Sequence, residues 1–193
     1  MRSPIRNPLP LLVSALLVTQ NVLPAAESLR FFTQPLIIPE RGAVTSCILL
    51  LGTNRFSFLP PPDWRVQCDD NSKTVTLTSS DLGVGVHFKF ITDRSQTGQP
   101  LQADIFRPRV LARFPGGIIT NEFTCFTSGR EGLAFDVDHV GAKKMKMTTR
   151  LAFVPFPGGL VEFDLTTTQK QFELYQLPFG NLLTSFRIEP APK

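Results

Sequence analysis

The side chains best suited to chemistry in this 193-residue chain are two histidines and three cysteines. A catalytic site needs a nucleophile or a proton-transferring group held close to a second polar group. In an alternating strand pattern His87 lies on the side opposite Phe88, which predicts a histidine exposed to solvent. His139 shares the side of Val137, which predicts a partly buried, structural histidine. Neither position indicates a catalytic group.

Short motifs typical of active sites are missing from the sequence. There is no Gly-x-Ser-x-Gly motif around a serine nucleophile, and no pair of cysteines or histidines has the spacing of a metal site. Gly83 and Gly85 lack the third glycine and the following helix of a phosphate-binding loop. We therefore predict no catalytic residue, no metal site and no cofactor, and a protein that is not an enzyme. The alternative is a site assembled across strands from His87, His139 and a carboxylate.

The three cysteines leave one thiol unpaired if two of them form a disulfide. Cys68 and Cys125 both lie in strand-like segments, so they are the preferred pair in an oxidising compartment. Three separate buried thiols, Cys47 included, are an equal alternative, because free cysteine packs as a small apolar residue.

Phenylalanine dominates the aromatic residues, with 17 Phe against one Trp and one Tyr. Surfaces that recognise carbohydrates or antigens tend to use Trp and Tyr, whereas Phe mostly fills cores. Phe153 and Phe156 fall in a proline-rich turn, where an exposed apolar pair would form an interaction patch. The alternative is that both rings anchor the turn in the core.

Residues 1–26 have the composition of a secretory signal peptide. Arg2 and Arg6 form a basic start, an apolar stretch follows from residue 9 to residue 22, and Ala25 and Ala26 offer small residues for cleavage. The apolar stretch is interrupted by polar residues and a proline, so it is too short for a permanent membrane span. The sequence predicts an exported protein, periplasmic or secreted, with no stable membrane insertion after cleavage.

The low net charge of the chain argues against nucleic acid as a partner. The formal net charge of the whole chain is +4, and loss of Arg2 and Arg6 with the signal peptide lowers it by two. A weakly charged chain with dispersed basic residues lacks the basic patch that binds phosphate backbones. We therefore expect a protein partner, another envelope or periplasmic protein.

Beyond residue 26 we distinguish two parts of the chain. Residues 27–53 form an N-terminal extension with one predicted strand, and residues 54–190 form an α+β domain. In that domain alternating apolar residues predict a three-stranded meander and then three further strands, over residues 64–69, 73–78, 84–90, 118–127, 133–140 and 145–153.

Two segments of the domain have helical spacing. Residues 101–114 predict a helix that Pro108 kinks or restarts, and a second helix around Phe172 is predicted to stop before Pro178. Strands in consecutive hairpins, about seven or eight of them, with two helices favour an α+β sandwich with a central antiparallel sheet flanked by helices.

The order of these elements resembles the PsbP-like and Mog1-like group, including bacterial periplasmic proteins of the DcrB type. The resemblance covers roughly Asn54 to Glu189. It rests on Phe56-x-Phe58, on Pro60 and Pro61 ahead of Trp64, on the meander and the mid-chain helix, and on the closing Leu182-Leu183-Thr184-Ser185-Phe186-Arg187-Ile188. It implies a central antiparallel sheet flanked by helices and a non-catalytic role as an accessory or binding subunit of a larger assembly.

Three functional hypotheses follow. The first is an exported, non-catalytic binding or assembly module that contacts another envelope protein. The second is a small metal-dependent or hydrolytic enzyme with a site assembled across strands. The third is a carrier that holds an apolar ligand between sheet and helices.

The predicted cleavage can be measured directly. Intact-mass measurement of the protein recovered from the cell envelope should give a chain that begins near Glu27, because the small residues Ala25 and Ala26 precede it. A chain that still begins at Met1 in that fraction would contradict the prediction.

Overall fold

The structure is a computed structural model that describes residues 28–39, 42–81, 84–92, 100–127 and 129–190. The predicted signal peptide lies outside the described residues. The described part contains eleven strands and two α-helices: β1 (Leu29–Ile38), β2 (Gly42–Leu51), β3 (Asn54–Phe58), β4 (Arg65–Asp69), β5 (Thr74–Thr78), β6 (Gly85–Thr92), α1 (Ala103–Arg113), β7 (Ile118–Thr127), β8 (Arg130–Val140), β9 (Lys146–Phe156), β10 (Gly159–Thr168), α2 (Phe172–Ser185) and β11 (Arg187–Pro190).

Seven of the strands form one large antiparallel sheet in the order β4-β5-β6-β10-β9-β8-β7. Both predicted groups of three strands are present, each as consecutive antiparallel hairpins. Strand β10 joins the two groups because it pairs with β6 on one side and with β9 on the other. The alternation of apolar side chains therefore correctly predicted the six strands of these two groups.

The remaining four strands form a second, smaller antiparallel sheet in the order β1-β2-β3-β11. Residues 27–53, which we predicted as an extension with one strand, contribute two strands to this sheet. Strand β1 escaped sequence analysis because Pro35 and a long exposed stretch hide its alternation. The segment is thus joined to the rest of the chain through the pairing of β2 with β3.

The elements pack in layers around the large sheet. Helix α1 covers one face, where Phe106 and Val110 are buried against Phe135 and Leu151. The other face is covered by α2 and by the small sheet. The predicted arrangement of a central sheet flanked by helices therefore holds only in part, because a second sheet takes much of the area assigned to helices.

Phenylalanine rings fill the space between the two sheets and α2. Phe186, fully buried after the last turn of α2, lies 5.0 Å from Phe163 and 5.6 Å from Phe88 in the large sheet, measured between ring centroids. It also lies 6.0 Å from both Phe56 and Phe58 in the small sheet. One ring thus contacts both sheets. The abundant Phe residues of the sequence serve this core.

Both helices continue through a proline, so α1 does not restart at Pro108 and α2 does not end before Pro178 as predicted. An internal proline removes one backbone hydrogen bond to the carbonyl four residues earlier, here that of Asp104 or Leu174. Asp104 and Leu174 are exposed, so water can bond to the freed carbonyls. Beyond Pro178, α2 buries Phe179, Leu182 and Leu183, and this burial stabilises the helix past the proline. No helix among the described residues is long and apolar enough to span a membrane.

A buried ion pair joins α2 to the large sheet. Arg150 on β9 donates to both carboxylate oxygens of Asp136 on β8, at 2.6 and 2.8 Å. The guanidinium also lies 4.9 Å from the ring centroid of Phe123 on β7 and 5.2 Å from that of Phe172 on α2. Only 12% of the Arg150 side chain and 7% of the Asp136 side chain are exposed.

Replacing Arg150 with alanine should lower the free energy of unfolding by about 3–5 kcal/mol, because Asp136 is left as a buried, unpaired charge. The double variant Arg150→Met with Asp136→Leu should recover most of that loss. Urea denaturation measures both. Arg55→Ala is the matched control, since it breaks an exposed pair with Glu189 and should cost no more than about 1 kcal/mol. An equal effect of the two alanine variants would contradict the prediction.

Candidate binding cleft

A cleft of about 1050 Å³ lies between three segments that are distant in sequence. The first is the hairpin of β1 and β2, the second is the segment from Leu59 to Trp64, and the third is the C-terminal half of α2 from Leu177 to Ser185. A concave space of this size is typical of ligand or peptide sites.

The segment from Leu59 to Trp64 forms one wall of the cleft because its prolines cannot continue the small sheet. Strand β3 ends at Phe58, and Pro60, Pro61 and Pro62 follow, none of which has a backbone N–H for a strand ladder. Ser185 Oγ, at the end of α2, accepts the backbone N–H of Leu59 at 3.0 Å and so holds this segment against the helix. The three prolines thus form part of the lining of the cleft.

The lining of the cleft is predominantly apolar. Its apolar residues come from all three segments and include Phe31, Ile38, Val44, Cys47, Leu59, Pro60, Pro61, Pro62, Trp64, Val66, Leu177, Pro178 and Leu182. Thr33, Thr45, Asp63 and Asn181 supply polar groups that have no hydrogen-bond partner within the described part of the chain. Such a lining can bury apolar groups and offers few points of polar recognition.

Asp63 is the one charged side chain among the lining residues. Its backbone has φ 63°, a left-handed conformation that aspartate tolerates better than most residues. The turn is closed by the backbone N–H of Trp64, which bonds to the carbonyl of Pro61 at 3.2 Å. The exposed carboxylate is thereby held at the cleft without an ion pair to the described residues.

Exposed apolar residues border the cleft on α2. Leu174 and Leu177, one helical turn apart, are 70% and 71% exposed. Next to them Tyr175 packs its ring edge-on against Trp64, with the centroids 6.3 Å apart, and donates a hydrogen bond to Asp81 at 3.2 Å. Partial burial and the nearby Asp81 carboxylate raise the pKa of Tyr175, so this hydroxyl stays protonated at neutral pH. The surface around the cleft is therefore apolar with fixed aromatic rings.

The two phenylalanines that we predicted as an interaction patch are buried instead. Phe153 is 5% exposed and packs against Phe106 of α1, with the ring centroids 4.7 Å apart. Phe156 is 3% exposed and lies on the opposite face of the sheet, 5.2 Å from Phe56. The prediction of exposure was wrong because Pro155 and Pro157 do not interrupt β9 before Phe156, so both rings follow the strand into the two cores.

All three cysteines are free, and the preferred pair Cys68 and Cys125 is not brought together. Cys68 lies on β4 and Cys125 on β7, the opposite edge strands of the large sheet. Cys47 and Cys125 are buried and Cys68 is half-buried. Burial raises the pKa of the Cys47 and Cys125 thiols to about 11, which keeps both protonated and unreactive at neutral pH.

The two histidines lie away from the cleft and away from each other. His87 is exposed and 3.0 Å from Thr76, while His139 is half-buried, 2.9 Å from Thr149 and beside the ring of Phe114. Both project from the α1 face of the large sheet, but β10 and β9 separate their strands by about three strand spacings, roughly 14 Å, and His139 is offset along β8 from Phe135, the residue in register with His87.

Charged residues between the histidines satisfy each other. Glu162 is 7% exposed and pairs with Arg113 of α1 and, at 3.3 Å, with Lys89. Arg113 also donates to Asp164 at 3.2 Å. Among the described residues no three His, Cys, Asp or Glu side chains are close enough to hold a metal ion. These contacts connect α1 to the large sheet, and they give each of these charged side chains a partner of opposite charge.

Sequence analysis did not identify the cleft. Its residues come from three segments, and only the run of three prolines after Phe58 marked one of them. Leu177 fits the apolar spacing that is typical of a core position on α2, yet it is 71% exposed. Exposed leucines within a helical pattern cannot be distinguished from core leucines until the packing of the helix is known.

Neither a family model nor a curated protein matches the sequence. Similar solved structures include cyanobacterial PsbP (CyanoP) from Synechocystis sp. PCC 6803, with 13% identity, a TM-score of 0.53, and coverage of 90% of this chain and 99% of that chain. LpqN of Mycobacterium tuberculosis, described as involved in cell envelope biogenesis, has 13% identity, a TM-score of 0.52, and coverage of 83% and 92%. At these identities the likeness concerns the fold alone, and this chain has a PsbP-like fold.

The state of the cysteines gives a chemical prediction. In the native protein at pH 8, iodoacetamide should modify Cys68 first, because Cys47 and Cys125 are buried and protonated; guanidinium should make all three reactive without a reducing agent. Peptide mapping by mass spectrometry identifies which cysteines are modified. Protection of Cys68 and Cys125 in guanidinium until a reducing agent is added would show a disulfide and contradict the structure.

Proposed function

We propose that this chain is an exported, non-catalytic binding module and that it contacts another envelope protein through the cleft. The observation that carries the proposal is an apolar cleft of about 1050 Å³ that is lined by the exposed Leu177, with the exposed Leu174 one helical turn away. Contiguous exposed apolar residues are typical of interaction sites rather than of free surfaces.

The hairpin on the opposite wall supports a protein partner. Leu36 and Ile37, near its tip, are 44% and 81% exposed. The hairpin also places Ile38 and Val44 in the lining of the cleft, and Trp64 and Leu177 line it from the other two segments. A partner that enters the cleft could therefore bury apolar area on two walls at once, and each Å² removed from water contributes about 25 cal/mol.

The setting in the cell envelope is inferred from two independent features. The composition of residues 1–26 predicts export. LpqN, which shares the fold, is described as involved in cell envelope biogenesis. Because a fold alone does not determine function, this likeness supports the setting and not the partner.

The chemistry of the cleft supports a non-catalytic role. Its polar groups are hydroxyls, an amide and the single carboxylate of Asp63, without a base beside a nucleophile. His87 and His139, which the alternative of an enzyme would need, lie on the α1 face of the large sheet, where they bond to threonines.

A carrier of an apolar ligand is the second candidate, favoured by the volume and the apolar lining of the same cleft. The two candidates differ in what occupies the cleft in the cell. A carrier retains a small molecule that can be extracted with organic solvent, whereas a binding module is contacted there by another polypeptide.

Photo-crosslinking in cells distinguishes them. A benzophenone side chain at position 177 should give one discrete protein adduct, because Leu177 lies at the cleft. The matched control is position 140, since Val140 is 70% exposed but does not line the cleft. The adduct is identified by mass spectrometry. Equal labelling at both positions, or no protein adduct together with an apolar molecule in an organic extract of the purified protein, would contradict the proposal.

A further inference from the structure

Half of strand β2 has an unpaired edge that borders the cleft. Strand β2 has ten residues, and β3 pairs with only five of them, Cys47 to Leu51. From Gly42 to Ser46 the strand pairs with β1 alone, and Val44 and Thr45 of this stretch line the cleft. Backbone groups on the other side of this stretch have no strand partner among the described residues.

The register identifies which residues present these groups. Leu51 and Asn54 close a two-residue turn at Gly52 and Thr53, with Gly52 at φ 57°. The pair that closes such a turn is hydrogen-bonded, and hydrogen-bonded positions alternate along antiparallel strands. Leu51 therefore directs its N–H and C=O toward β3, and so does every second residue back along β2. Thr45 and Ala43 continue this series beyond the end of β3.

Pro35 gives independent support for this assignment. It lies opposite Thr45 in the register of β1 and β2. Proline has no N–H, so this position fits a pair that exchanges no hydrogen bonds between the two strands. The N–H and C=O of Thr45 therefore point away from β1, toward the open edge at the cleft.

The residues that directly follow β3 do not continue its pairing along this edge of β2. The residues that follow β3 are Leu59 and three prolines, and Leu59 is bonded to Ser185 of α2. An occupant with an extended backbone can pair with Thr45 and Ala43, whereas an acyl chain offers no groups for these hydrogen bonds. Addition of a strand to an exposed sheet edge is an established mode of peptide recognition.

Charge indicates one further property of the occupant. Asp63, the one charged residue among the lining, has no ion pair within the described part of the chain. A lysine or arginine of the occupant would complement this carboxylate, and complementary charge contributes to specificity and to the rate of association.

We infer that the cleft binds an extended segment of the partner protein, which pairs its backbone with Ala43 and Thr45 and places a lysine or arginine against Asp63. This inference rests on the proposed function and names the part of the partner that is recognised. Apolar side chains of the segment contact the lining formed by Val44, Leu59 and Trp64.

Random ten-residue peptides displayed on phage are the probe. Selection on the purified protein should enrich peptides with alternating apolar residues and a lysine or arginine. Affinities of the synthetic peptides, measured by fluorescence anisotropy, should fall about tenfold or more for Thr45→Pro, which removes the N–H at the open edge. Thr45→Ala keeps that N–H and should change affinity by no more than about threefold.

The charge is tested in the same assay. Asp63→Asn should weaken binding about three- to tenfold and remove most of its salt dependence. Glu131→Gln is the matched control, because Glu131 is an exposed carboxylate that does not line the cleft, and it should leave affinity unchanged. If Thr45→Pro lowers the thermal midpoint of unfolding, the affinity of that variant is not informative. Hydrogen exchange of the Thr45 amide in the wild-type protein is then measured instead, and a bound peptide must protect that amide.

Two results would overturn the inference: no peptide enriched over an unrelated protein, or binding that is indifferent to both Thr45→Pro and Asp63→Asn. If a protein adduct still forms at position 177, the partner uses another mode of contact and only this inference fails. If that adduct is also missing, the proposed function fails with it.

Discussion

The packing of Phe186 fixes the relative positions of the two sheets and α2. This fully buried ring contacts Phe56 and Phe58 in the small sheet and Phe88 and Phe163 in the large sheet, at centroid distances of 5.0 to 6.0 Å. Edge-on, tilted and stacked ring pairs of this kind stabilise by about 0.5–1.5 kcal/mol each beyond the area they bury. Because Phe186 directly follows α2, this cluster also fixes where the helix ends.

The cleft follows from where this core stops. Ser185 precedes Phe186 and bonds to Leu59, so the core determines the path of the chain after Phe58. Strand β2 is mostly buried from Cys47 to Leu51, whereas its residues from Gly42 to Ser46 are exposed or half-buried. The small sheet is therefore four strands wide over the core and only a hairpin beyond it. The prolines after Phe58 keep the open edge of that hairpin free.

Sequence analysis predicted what depends on local pattern. Alternation in segments such as Val84 to Phe90 gave the strands of the large sheet, and the resemblance carried by Phe56, Phe58 and the closing residues gave the PsbP-like fold. Patterns failed where long-range packing decides: α2 continues through Pro178, since burial of Phe179, Leu182 and Leu183 outweighs one lost hydrogen bond. Phe153 and Phe156 are buried because strand β9 continues as far as Phe156 and directs the two rings into the cores on its two faces. The edge strand β1 has weak alternation, so the second sheet and the cleft were not predictable from the residues alone.

Hydrogen exchange of the β2 amides in the free protein, followed residue by residue by NMR, tests the open edge most directly. Cys47 and Leu49 should exchange slowly because β3 pairs with them, and Val44 should be protected by its pairing with β1. Ala43 and Thr45 should exchange much faster than these three. Equal protection of Ala43, Thr45 and Cys47 would mean that the edge is already covered in the free protein, and the cleft would then have no free strand edge to offer a partner.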